Sequence, residues 1–183
     1  MRKLMNLFLF IVSTIIISGL YGIIHNQVTF TISSEYFTHF KFIQHHLPEY
    51  FIKPARLGAS VIGWNSTWWV GLIFGFILGS LWIRNDTLTI KDRFKAFSTI
   101  CITTITVGTI GYLIAHLQWQ PTKHYEVINF PNYGGIIDES IQSMTNPYAF
   151  LRAGTVHNFS YIGGILGLLL SIFQLWKHLR NEI

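Results

Sequence analysis

Apolar positions gather into four long stretches, approximately Met5–Ile24, Ile62–Ile83, Ala96–Gln118 and His157–Trp176, with polar segments between them. Each approaches or reaches the roughly 20 residues a helix needs to cross a bilayer. Their only acidic or basic side chains are His116 and His157, each near an end. The pattern predicts an all-α membrane protein, a four-transmembrane-helix bundle forming one domain over residues 1–183. The helices are expected at about 5–24, 62–83, 96–118 and 157–176, with two ordered extracytoplasmic loops at about 25–61 and 119–156.

The first of these loops opens on Gln27-Val-Thr-Phe-Thr-Ile32, an alternation of β-branched and aromatic residues that predicts a short strand. Ser33 and Ser34 read as N-caps of a short amphipathic helix from Glu35 to about His46, which Pro48 and Pro54 separate from the second long helix. Five of its apolar residues, Tyr36, Phe37, Phe40, Phe42 and Ile43, suit it to lie on the bilayer or cap the bundle. The second loop, with Pro121, Pro131, Gly134, Gly135, Pro147 and a short helix expected at Asp138–Met144, reads from its aromatic content as an ordered lid. Asp86 or Thr87 is expected to cap the third helix.

Charge sets the orientation. The N-terminus, the short loop 84–95 and the C-terminal tail hold eight Lys and Arg residues, whereas the two long loops hold five. The positive-inside rule places both termini in the cytoplasm and both long loops outside. Trp64, Trp68 and Trp119 fall toward the outer interface, and Trp82 and Trp176 toward the inner one. Arg2 and Lys3 precede the first apolar run without a small-residue cleavage site after it, which predicts an uncleaved anchor. Charged residues make up 11% of the chain and mean hydropathy is +0.40, against roughly 25% charged residues in soluble domains. The net charge of +5 is therefore read as an inner-leaflet anchor, and no nucleic-acid partner is expected. A single cysteine, Cys101, excludes a dithiol relay.

Glycines at 71, 75 and 79 on the second long helix, and at 163 and 167 on the fourth, form small-residue ridges. Such ridges let helix backbones approach closely in lipid, and packing within the bundle is preferred over homodimerisation.

Three helices carry the same pair of residues at one end: Tyr21–His25, Tyr112–His116 and, reversed, His157–Tyr161. A spacing of four places both side chains on one helical face. The reversal matches a helix running the opposite way, so each His lies at the outer rim with Tyr one turn deeper. Imidazoles suit Zn, Cu and Fe, so His25, His116 and His157, completed by His39 or Glu35, form a candidate transition-metal site. Tyr21, Tyr112, Tyr161 and Glu35 are candidate catalytic groups, able to orient a ligand, carry a proton or line a quinone pocket. Arg152 is the candidate for binding an anionic cofactor or headgroup. Against this stands the ordinary enrichment of tyrosine at membrane interfaces.

The stretches His25–Phe42 and His157–Gly164 resemble segments of an uncharacterised family of small bacterial four-helix integral membrane proteins. The resemblance covers about one seventh of the chain and implies a bacterial inner-membrane protein without transferring an activity. The leading expectation is a metal- or cofactor-binding site at the periplasmic face, with oxidoreductase chemistry. The alternatives are a non-catalytic membrane subunit or assembly factor whose aromatic loops dock a partner protein, and a small transporter. The bilayer is one partner in any case, with a membrane protein or a second copy as the others.

Overall fold

The computed structural model describes residues 2–84, 88–120 and 144–181. They form α1 (Arg2–Ile32), a π-helical segment (Tyr36–Lys41) running into α2 (Phe42–Gln44), then α3 (Glu49–Ile52), α4 (Ala55–Arg84), α5 (Ile90–Gln118) and α6 (Pro147–Asn181). No strand occurs among the described residues. Four helices are long and apolar enough to cross a membrane: Lys3–Ile32, Ala55–Ile83, Ile90–Gln118 and Pro147–Arg180. The chain is a multi-pass membrane protein. The proposed lid at 121–143 and the caps Asp86 and Thr87 lie outside the described residues.

The long helices outrun the apolar stretches that predict them. The expected strand at 27–32 is instead the last part of α1. Its β-branched residues fit a helix because their hydroxyls bond within it: Thr29 Oγ1 donates to the His25 carbonyl at 3.0 Å, and Thr31 Oγ1 to that of Gln27 at 3.0 Å. Polar neighbours fasten this end to α4. Asn26 Nδ2 donates to the Ala59 carbonyl at 2.9 Å, and Gln27 Nε2 to the Arg56 carbonyl and the Ser60 hydroxyl. Such tertiary bonds override a weak local preference for strand. Helix α6 likewise begins at Pro147, well before the apolar run, since proline at the first helical turn costs no hydrogen bond. At the start of α5, Thr89 and Asp92 form a reciprocal capping box.

Two antiparallel hairpins make up the bundle, α1 with α4 and α5 with α6. The close approaches follow the glycines. A Cβ on Gly22 would meet the backbone of Gly63, and one on Gly63 the backbone of Gly22. Gly71 and Gly75 sit against Thr14, and Gly79 against Leu7. Across the other pair, Gly163 abuts Thr104 and Gly167 abuts Ile100. Beside them, the buried Ser171 hydroxyl donates to the Ala96 carbonyl at 2.7 Å. The predicted ridges thus work inside each hairpin.

The two hairpins meet at their ends and separate between them. At the end carrying both termini, Leu78, Leu88, Ala96, Ile100 and Leu175 form one buried cluster. At the opposite end, which we call the loop end, Tyr36, Phe37, Phe40, Phe42, Ile62 and Phe150 form another. Ser33 caps the π-helical segment, its Oγ accepting from the Tyr36 N–H at 3.2 Å. The rings of that segment point inward, with Tyr36 3% and Phe37 0% exposed. Large apolar side chains such as Phe8, Ile24, Phe76, Leu117, Ile165 and Leu169 project outward, as a lipid environment requires.

Candidate functional site

On α1, Thr14, Ser18, Gly22, His25, Asn26 and Thr29 recur at helical spacing on the face turned toward the bundle. On α6 the matching stripe is Ala153, His157, Ser160 and Gly164. The two stripes converge beneath the aromatic cluster at the loop end. His25 and His157 meet there edge to face, with ring centroids 4.6 Å apart. His157 is 4% exposed and packs under Tyr36, ring centroids 4.9 Å apart.

Hydrogen bonds fix His157 more tightly than a core histidine needs. Its Nδ1 lies 2.9 Å from the carbonyl oxygen of Ala153, and its Nε2 lies 3.2 Å from Asn26 Oδ1. The Asn26 amide cannot turn over without losing its bond to the Ala59 carbonyl. Both imidazole nitrogens therefore face oxygen acceptors. In a neutral tautomer one nitrogen donates and the other sets its lone pair against an oxygen. His25 is the reverse case. It stacks on Tyr21 at 5.6 Å between centroids, and its buried Nε2 has no hydrogen-bond partner.

These side chains close one end of a cavity of about 340 Å³ between the two hairpins. Below the histidines its walls are almost wholly apolar, from Ile17, Ile62, Val70, Phe74, Phe97 and Ile100, with Cys101 among them. Tyr21 and Tyr161 line it one turn below the histidines. Ser160 lies beside Tyr21, without a hydrogen bond of good geometry at its buried hydroxyl. Several lining residues, including Ile17, Trp69, Ile73 and Ile165, are also on the outer surface. The cavity therefore communicates with the lipid-facing side of the bundle.

Lys41 reaches the same cavity from the π-helical segment. Its Nζ donates to Gln44 Oε1 at 2.9 Å and lies 5.0 Å from the centre of the Phe40 ring. Burial lowers its pKa to about 8. A π-helical turn rotates the side chains that follow it relative to an α-helix and is frequent at functional sites. Among the described residues, no Asp or Glu lines the cavity.

The third Tyr–His pair does not join. Buried positions of α5 run through Ala96, Ile100, Thr104, Gly108, Gly111 and Ala115. Thr109, Tyr112 and His116 each follow a buried position by one residue, a turn of about 100°. Tyr112 and His116 are exposed, on the outer face of the bundle. The expected metal set is also short of its completing ligands. His39 is half-buried and bonded through Nδ1 to Thr38 Oγ1 at 3.0 Å, and it does not line the cavity. Among the described residues, no group of three or more His, Cys, Asp or Glu could hold a metal ion.

Glu35 and Arg152 are occupied elsewhere. The Glu35 carboxylate accepts from the backbone N–H groups of Thr145 at 2.7 Å and Asn146 at 3.0 Å, just ahead of α6. Partial desolvation raises its pKa, but those N–H bonds outweigh that and hold it below the usual value. Arg152 Nε and Nη2 donate to the Trp119 carbonyl at 2.9 and 2.6 Å, closing the C-terminus of α5. Both residues join elements at the loop end and neither lines the cavity.

Asn26 and Lys41 belong to the site without having been singled out by sequence. Asn26 carries a signal in hindsight, as an amide next to an inward-facing histidine. Lys41 carries none, because the π-helical register that delivers it is not written in an apolar pattern. Comparison with protein-family models, curated proteins and solved structures yields no match.

Proposed function

We propose that this is an integral membrane protein that binds a membrane-borne amphiphile, a lipid or a lipid-soluble cofactor. The head group of the ligand sits at His25 and His157 and its apolar part occupies the cavity below. One observation carries the reading. A buried, unpartnered imidazole nitrogen stands at the closed end of an otherwise apolar cavity that communicates with the lipid side. Binding sites of about 300–1,000 Å³ with apolar walls and a few convergent polar groups are the common form of ligand pocket. The Lys/Arg asymmetry favours a periplasmic position for this end in a bacterial inner membrane. The tyrosines one turn deeper are placed to orient a ring or carbonyl, which suits an oxidoreductase acting on a lipid-soluble cofactor. A protein that only holds such a ligand needs the same binding step.

A metal-based site has less support, since the imidazoles brought together number two and catalytic zinc normally takes three protein ligands. Docking of a partner through the first loop also loses ground, because Tyr36, Phe37, Phe40 and Phe42 are buried. Phe130, the aromatic of the second loop that would test docking, lies outside the described residues.

Gly164 supplies the test. A Cβ there would have Thr104 Oγ1 at 3.8 Å and Phe74 Cζ at 4.0 Å as its nearest neighbours, so a larger side chain enters the cavity without striking a helix. Saturable binding of spin-labelled or radiolabelled long-chain amphiphiles to the protein in nanodiscs is expected, and Gly164→Leu should abolish it while the protein stays folded. Equal binding by a folded Gly164→Leu protein, or no saturable binding of any amphiphile, would overturn the proposal.

A further inference from the structure

Resting on the amphiphile reading above, we infer that the site selects a single-chain lipid with an anionic head, a carboxylate or a phosphate. The argument is the sign of the groups at the closed end of the cavity. Lys41 brings an ammonium, His25 an unpartnered buried Nε2, and His157 a ring whose two nitrogens both face acceptors. Among the described residues, no carboxylate lines the cavity to balance them. Glu35, the acid nearest along the chain, spends both oxygens on backbone N–H groups ahead of α6.

Lys41 is half-buried, and a partly desolvated cation is disfavoured until a counter-charge meets it. Cation–π contact with Phe40 and Tyr36 compensates Lys41 in part. An anionic head would complete the pairing. It would accept from His25 and lie beside Lys41. A neutral carbonyl head could accept from His25 but would leave the charge of Lys41 uncompensated. The apolar walls below then take one acyl or prenyl chain, and the opening past Ile17 and Ile165 lets a longer chain run out into the bilayer.

The experiment compares probes with one shared dodecyl chain and different heads: dodecanoate, dodecyl phosphate, dodecanol and a dodecyl benzoquinone. Binding is measured by isothermal titration to the full-length protein in nanodiscs of zwitterionic phospholipid. An anionic head is expected to bind about tenfold tighter than either neutral one, as charge-assisted hydrogen bonds outrank neutral ones. Lys41→Met and His25→Ala should each remove most of that preference, while Lys41→Arg should keep it. Dodecanoate against dodecyl phosphate then separates a fatty-acid ligand from a lipid phosphate.

Equal or tighter binding of the neutral probes would overturn the inference and leave the amphiphile site standing. So would an anionic preference that survives both Lys41→Met and His25→Ala. Failure of every probe to bind saturably would remove the amphiphile reading itself. Should His25→Ala fail to fold, His25→Gln keeps a donor of similar reach, and retention of the preference by His25→Gln with its loss in Lys41→Met is the supporting result.

Discussion

Lys41 lines the cavity at a cost to stability. Burial lowers its pKa from 10.5 to about 8, so folding disfavours its charged form. The sign follows by linkage. Below about pH 8 both folded and unfolded chains hold the proton, and the fold carries the full cost of the buried charge. Between about 8 and 10.5 the unfolded chain keeps a proton that the folded chain has released, so this contribution to stability rises with pH. Lys41→Met is therefore expected to raise the unfolding temperature at pH 7, by an amount that shrinks as pH climbs through that window. Thermal unfolding of both proteins in detergent across the pH series checks it, and a pH-independent difference would assign the effect to packing. The same variant loses anionic-ligand selectivity, a trade of function against stability that is common at binding sites.

The Tyr–His pairs locate where residue-level reading succeeds and where it stops. A spacing of four fixes that two side chains share a face. It does not fix where that face points. His25 and His157 turn inward because Gly22 and Gly63 draw α1 onto α4, and Gly163 and Gly167 draw α6 onto α5. His116 turns outward because Ala115 is the buried residue at that level of α5.

At the scale of elements, Gly71, Gly75, Gly79, Gly163 and Gly167 were legible as ridges whereas the Gly22–Gly63 approach was not, and these contacts carry a graded prediction. Gly63 faces the Gly22 backbone directly, with no flexible side chain to move aside. Gly63→Val should force α1 and α4 apart at a cost of about 3 kcal/mol or more, read as loss of a monodisperse folded species on gel filtration and a lowered unfolding temperature. Gly164→Leu, one of the same residue type on α6, should leave the unfolding temperature nearly unchanged, because it enters a cavity. Equal destabilisation by the two would mean that the space beside Gly164 is not available.

Glu35 belongs to the same scale, since it ties the segment after α1 to the start of α6. The sequence offered it as an acid–base group. Its two backbone bonds give it a structural task that no local pattern announces, because Thr145 and Asn146 lie more than a hundred residues away. Glu35→Ala should cost about 1 kcal/mol, and Glu35→Gln less, since an amide oxygen can still accept one bond. Hydrogen exchange should speed up selectively at Thr145 and Asn146 in the alanine variant, while amides of Ile100 and Thr104 in α5 keep their protection. Unchanged exchange at the two loop amides would refute the capping role.

For the whole molecule, four apolar runs were enough to give the number of spans, because hydrocarbon demands continuous apolar helix. What they could not give is the pairing. Two glycine-welded hairpins that touch each other mainly at their ends leave a space in the middle, and that space is the candidate site. The even number of spans places both termini at one end of the bundle, with Phe10, Trp82, Arg93 and Leu175 clustered there and His25, Trp119 and His157 at the other. Which end faces the cytoplasm is then one binary choice, and the positive-inside rule predicts it from the basic residues. Eight of thirteen Lys and Arg lie in short segments at the end carrying the termini, where the positive-inside rule counts them most. Arg93 adds a structural reason. Its guanidinium is held 4.0 Å from the Trp82 ring centre and 5.8 Å from that of Phe10, so this cation is built into the terminal end and not merely attached to it. Reporter fusions at the C-terminus and in loop 84–95 should score as cytoplasmic, and a fusion near residue 45 as external. Moving basic residues should shift the balance: replacing Lys91 and Lys95 by Gln weakens the signal of that loop, while Arg93 is left in place to keep the fold. An external C-terminus in the unmodified protein would put the His25–His157 site on the cytoplasmic side, and any ligand would then have to reach the cavity from the inner leaflet.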